Sequence, residues 1–144
     1  MKCKSSIKPS HLLTVILALA LGPALAQYAY TGERTVTLIM GDIYFEIEGQ
    51  DRGEALTATA GESITFIVEN VGGMPHNVQF GRDFDAQTRR YQAELLPGFA
   101  GIDLDPGQKA RLTLQLPDEP GEWEIGCLVL GHYEANQVLG LIIE

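Results

Sequence analysis

Trp123-Glu-Ile-Gly-Cys127-Leu-Val-Leu-Gly-His132-Tyr-Glu-Ala-Asn-Gln137-Val138-Leu-Gly-Leu-Ile-Ile143 is the stretch on which the reading turns. It opens and closes as short apolar strands, Trp123 to Cys127 and Val138 to Ile143, and the residues from Leu128 to Gln137 form the loop between them. Three side chains with donor atoms, Cys127, His132 and Gln137, follow one another as Cys-x4-His-x4-Gln along that loop. A short loop between strands can fold such residues around one point.

Working back from there, Ala110 to Leu116 alternates as a half-buried strand, ended by Pro117 to Gly121. Pro97-Gly98 and Asp105-Pro106-Gly107 punctuate the stretch before it. Between Asp83 and Leu95 the apolar spacing of Phe84, Tyr91 and Leu95 suits a short helix or an irregular insertion. Further upstream, Arg34 to Glu48 is rich in β-branched and aromatic residues on either side of Gly41, Ala55 to Thr59 is a further run, and Ser63 to Glu69 alternates around Ile64, Phe66 and Val68. Val71-Gly-Gly-Met-Pro75 reads as a loop that delivers His76 to the mouth of the next extended segment, His76 to Phe80. The expected fold class is all-β: a Greek-key β-sandwich of about seven or eight strands with a short helical or irregular insertion.

The first residues read as an export signal. Lys2, Lys4 and Lys8 precede an apolar run from Leu12 to Leu21 that ends near Ala24-Leu25-Ala26. That run is shorter than the roughly 18 apolar residues of a spanning helix. Cys3 stands before it rather than at the cleavage point, where a lipid-attachment cysteine would lie. The expected division is a signal peptide over 1–26 and one domain over 27–144, periplasmic or secreted, with no membrane span once the signal is cleaved. The 118 residues left after cleavage suffice for a single core. They carry 7 basic against 19 acidic side chains, a formal charge of −12, which repels phosphate backbones and argues against a nucleic-acid partner.

Cysteine and histidine use is more telling. After residue 26 the chain has one cysteine, Cys127, and two histidines, His76 and His132. A solitary cysteine makes no internal disulfide, and in an oxidising compartment it needs burial or a metal. A thiolate and two imidazoles in a roughly trigonal plane, with a weak axial donor such as Met or Gln, form the ligand set of blue-copper electron-transfer centres. The same three residues also suit zinc, although Cu(II) stands above Zn(II) in the Irving–Williams order. A thiol enzyme pairing Cys127 with a histidine base is a further reading, and it requires a thiol that substrate can reach.

At Gly-Gly-Met-Pro-His76-Asn77 and at Cys127-Leu-Val-Leu-Gly-His132-Tyr-Glu-Ala-Asn-Gln137 the chain resembles the cupredoxins, the blue copper proteins that include plastocyanin, azurin and the plant phytocyanins. The resemblance runs from about Thr35 to Glu144, apart from the segment around Asp83 to Gly101. It implies one copper ion held by His76, Cys127 and His132, with Gln137, where most members have Met, as a stellacyanin-like axial ligand. Leu130-Gly131 stands where many relatives have Pro-Gly. Asn77 matches a position that in several members ties the ligand loops together and helps place a hydrogen bond near the cysteine sulfur. Met74 reads as apolar surface and Glu134 as a solvated charge. The implied function is an electron carrier rather than an enzyme, acting as a monomer with redox protein partners, soluble or membrane-bound. His132 would be the electron port, within an apolar patch drawn from Leu128, Val129, Leu130, Met74 and Pro75. The alternative is copper sequestration or delivery in the periplasm, against which stands the lack of Met- or His-rich tracts.

Overall fold

The structure, a computed structural model, describes residues 33–144; the proposed signal peptide lies outside them. Among the described residues ten strands build two facing sheets: β1 (Arg34–Gly41), β2 (Tyr44–Ile47), β3 (Leu56–Ala58), β4 (Ser63–Asn70), β5 (His76–Asp85), β6 (Arg90–Glu94), β7 (Ile102–Leu104), β8 (Lys109–Gln115), β9 (Gly121–Gly126) and β10 (Val138–Ile143). The first sheet runs β2-β1-β4-β8 and the second β3-β10-β9-β5-β6, with β7 added to the start of β5. Among the described residues no helix is long and apolar enough to cross a membrane.

The alternation read in the sequence becomes the interior. Leu38 and Met40 of β1 and Ile64, Phe66 and Val68 of β4 face Val78, Phe80, Ile125, Leu139 and Leu141 of the other sheet, all nearly or wholly buried. Phe66 and Phe80 meet across the gap with ring centroids 5.3 Å apart. Each such side chain contributes about 1.5–3 kcal/mol by leaving water. A slip of one residue in any strand would turn its apolar set outward, so burial enforces the register. That register matters for the loops. Pairing of Val138 with Gly126 sets the two ends of the β9–β10 loop side by side, and Gln79 opposite Gly126 brings the start of β5 alongside the same loop.

One expectation is corrected. Residues 83–95 contain neither a helix nor an irregular insertion but the end of β5, a turn and β6. Phe84 and Tyr91, whose seven-residue spacing imitates a helical face, are cross-strand partners in that hairpin. Their spacing records a chain folding back, with Asp85 Oδ1 accepting the N–H groups of Gln87 and Thr88 in the turn. This hairpin and the three-residue strands β3 and β7 raise the count above the expected seven or eight.

Candidate metal centre

The predicted site residues lie at one end of the sandwich. Cys127 leaves β9, Gln137 precedes β10, and the main chain closes the loop between them through Cys127 N–H to Gln137 O at 3.1 Å. Within the loop, His132 N–H reaches Val129 O, Ala135 N–H reaches Gly131 O and Gln137 N–H reaches His132 O, each at 3.0 Å. These turns fold His132 back over Cys127. His76 enters from the first residue of β5, where it pairs with Leu104 of β7.

His76 Nδ1, His132 Nδ1 and Cys127 Sγ face one another. The nitrogens are 3.1 Å apart, and the sulfur is 3.9 Å from His76 and 3.4 Å from His132. A circle through the three atoms has a radius of about 2.0 Å, the bond length of an imidazole nitrogen to a first-row metal and slightly under that of a thiolate. The three form a compact donor cluster, with His76 and Cys127 buried and His132 half-buried. Gln137 is fully buried against this cluster. Its Nε2 donates to Gly41 O at 2.9 Å, while its Oε1 is buried without a hydrogen-bond partner. A buried amide oxygen left unpaired is costly, and a cation would relieve it. The donor set and spacing therefore fit a single metal ion.

Electrostatics act differently on the two donors of the β9–β10 loop, keeping the thiol protonated and the imidazole neutral. Burial pushes the Cys127 thiol up, opposed by the N–H groups of Asn77 and Val129 that point at the sulfur. Burial and then the neighbouring His76 hold His132 below the ordinary imidazole value, with the Gln137 side chain acting the other way, so its ring is neutral at pH 7. Cys127 has no exposed surface, whereas a thiol nucleophile must be reached by its substrate. Asn77 stands as the resemblance implied. Its N–H points at Cys127 Sγ at 3.4 Å and its Oδ1 accepts Leu128 N–H at 2.7 Å, joining the two ligand segments.

Two residues that sequence reasoning missed position His76. Asp42, in the β1–β2 turn, lies 3.3 Å from His76 Nε2 and also accepts Gly73 N–H at 2.9 Å. The His76 contact foremost, then the main-chain N–H groups, hold this carboxyl below the usual range. A carboxylate on Nε2 selects the tautomer whose Nδ1 lone pair is free for a metal. Gly72 makes the contact feasible, because a Cβ there would collide with Asp42 Oδ1 and press on His76 Nε2. Asn70, buried at the end of β4, donates to Met74 O at 2.8 Å and Leu104 O at 2.9 Å and accepts Gly72 N–H at 2.9 Å, which shapes the loop before His76. The sequence hint for Asp42 was its place directly after Gly41, and Asn70 carried none.

The apolar surface differs in part from the expectation. Leu128 is core and Val129 packs against it, whereas Leu130 (79% exposed) and Met74 (43%) face solvent. Ile43 and Val71, in the adjoining loops, are also exposed.

A two-sheet sandwich with this His–Cys–His cluster, the cysteine leaving the penultimate strand and one histidine in the loop before the last, has the cupredoxin fold. No family model matches the chain. It is similar to the copper-resistant cuproprotein CopI of Rubrivivax gelatinosus, 23% identical over 121 residues that cover 80% of this chain and 69% of that protein. CopI of Pseudomonas aeruginosa is 24% identical over 158 residues, 85% of this chain and 81% of the relative. Among solved structures, auracyanin A of Chloroflexus aurantiacus, described as a "blue" copper protein, superposes with a TM-score of 0.57 at 21% identity, covering 78% of this chain and all of that one.

Proposed function

We propose that this protein is an exported type 1 copper protein that carries single electrons, with one copper ion bound by His76, Cys127 and His132 and with Gln137 Oε1 in the axial position. The observation that carries the reading is the triangle of two Nδ1 atoms and one Sγ at metal-bonding spacing, with an unpaired buried amide oxygen beside it. Copper supplies the Cu(II)/Cu(I) couple. The chain's part is to hold the donors still. Cys127 follows directly from a ladder strand, His76 is buried with its outer nitrogen on Asp42, and His132 is bound into a run of turns. Little movement between redox states means fast exchange. Leu130, Met74, Pro75, Val71 and Ile43 would form the apolar docking face around the half-exposed His132, the electron port for a redox protein partner.

The second reading is copper sequestration or delivery, favoured by the similarity to two copper-resistance proteins. It uses the same site and differs in what leaves the protein, the ion or an electron.

The test is to purify the protein from the periplasm of an expressing bacterium, where its mass should fit a chain starting at Gln27, add one equivalent of Cu(II), and record visible absorption and electron paramagnetic resonance. An intense thiolate-to-copper band with narrow copper hyperfine splitting, absent in Cys127→Ala, is expected. An ordinary copper spectrum, or a colourless complex that prefers zinc, would overturn the reading. Electron self-exchange then separates the two functions: fast exchange with retained copper belongs to a carrier, slow exchange with copper passed to a chelating acceptor to a delivery protein.

A further inference from the structure

The β5–β6 hairpin stands at the edge of the second sheet. Pairing of β5 with β9 stops at Gly81 opposite Glu124, while pairing with β6 continues to Asp85 opposite Arg90, so beyond Gly81 the strand is paired with β6 and not with β9. Asp83, at φ 57°, and Arg89, at φ 54°, both take left-handed backbone. That conformation is uncommon for a long side chain and persists where its surroundings over-determine it.

At Arg89 the surroundings are the ligand loop. Arg89 Nε donates to Leu128 O at 3.2 Å, and Nη2 donates to Leu128 O at 3.0 Å and Val129 O at 2.8 Å. Nη1 pairs with Glu134 Oε1 at 2.7 Å. The Arg89 side chain is 22% exposed, and its guanidinium also lies 5.6 Å from the centre of the Phe84 ring. Phe84 in turn stacks on Tyr133 with centroids 3.9 Å apart. The hairpin thus grips residues 128, 129, 133 and 134, which flank Cys127 and His132. The loop from Cys127 to Gln137 contains no proline to stiffen it from within.

We propose that Arg89 is a positioning residue: an external clamp through which the β5–β6 hairpin holds the ligand loop, so that Cys127 and His132 keep their spacing with or without metal and in either redox state. The redox part rests on the copper reading above. A planar guanidinium suits the task because one group meets two carbonyls and a carboxylate at once, which a lysine ammonium on its flexible stem does less well.

Amide hydrogen exchange on the metal-free protein tests the clamp independently of copper. In Arg89→Ala the amides of Ala135 and Gln137 should exchange about tenfold faster, the scale expected when local opening loses contacts of this kind, while β4 amides keep their rates. Arg89→Lys should fall between, and Arg90→Ala, which removes the same charge from an exposed neighbour, should leave the loop as it was. With copper bound, Arg89→Ala should show a wider hyperfine splitting and slower self-exchange than Arg90→Ala. Loop amides at the wild-type rate in Arg89→Ala, or accelerated equally by Arg90→Ala, would overturn the clamp. A wild-type protein without a blue spectrum would defeat the copper reading yet leave the exchange result to judge Arg89.

Discussion

The two segments that meet at the candidate metal centre are built on different principles. The β4–β5 loop, residues 71–75, delivers one donor, His76, and is fixed from inside: Asn70 bonds two of its surrounding carbonyls and one of its amides, and Asp42 bonds both His76 and the Gly73 amide. The β9–β10 loop delivers three donors and has mostly its own turns to rely on, with Asn77 tying its start to β5 and Arg89 bracing it from outside. The difference follows from burial. His76 is 1% exposed, so the polar groups around it must find partners within the protein. His132 is half-buried, and much of its loop is open to solvent. Of the two histidines, the buried one is held by side chains around it and the half-buried one by its own turns and the contacts of Arg89.

Breaking the first segment should therefore cost the most stability. Asn70→Ala leaves the carbonyls of Met74 and Leu104 without donors, and urea unfolding of the metal-free protein should show a loss of roughly 2–4 kcal/mol. A loss below 1 kcal/mol would mean that water replaces the amide. Asp42→Ala frees His76 Nε2 and should weaken metal binding about 10- to 100-fold. Asp42→Asn, which keeps an acceptor oxygen, should recover much of that affinity in a competition titration; equal losses in both variants would point to charge rather than orientation.

The second segment is better tested through the bound metal. Gln137→Met replaces a hard amide oxygen with a soft thioether and should raise the reduction potential, since the softer donor favours Cu(I). An unchanged or lower potential would count against axial ligation by Gln137. The smallest effect expected is in protons. Burial holds the Cys127 thiol above its ordinary value of 9.0, so it is protonated at neutral pH, whereas His132, held below 6.5, is already neutral. Metal binding at pH 7 should then displace the thiol proton and none from His132, and affinity should rise about tenfold per pH unit. Calorimetry in buffers of different ionisation enthalpy measures this, and zero displacement would mean an ionised thiol in the metal-free protein.

How much of this was legible beforehand follows from distance along the chain. The strands on either side of the Cys-x4-His-x4-Gln loop could be read because short apolar runs bounded by turn residues are a local signal, and adjacent strands of that kind pair. The loop ends were bound to meet once β9 and β10 formed a ladder. The Phe84 and Tyr91 spacing misled because seven residues separate both two turns of a helix and two partners across a hairpin, and only the turn chemistry of Asp85 and Arg89 separates the cases.

By itself the sequence established the class of fold, the three converging donors with Gln137 beside them, and the chemistry those donors suit, because hydrophobic periodicity and donor spacing are written along the chain. Folding in three dimensions settled that Asp42 meets His76, that Asn70 shapes the loop before it, that Arg89 grips the ligand loop, and which leucines face water. Asp42 and His76 are 34 residues apart, as are Asn70 and the Leu104 carbonyl it holds; Arg89 and the Val129 carbonyl are 40 apart; the rest are choices of side-chain direction within irregular loops. No repeating pattern records them, because the backbone between the partners is free to place them anywhere until the sheets pack.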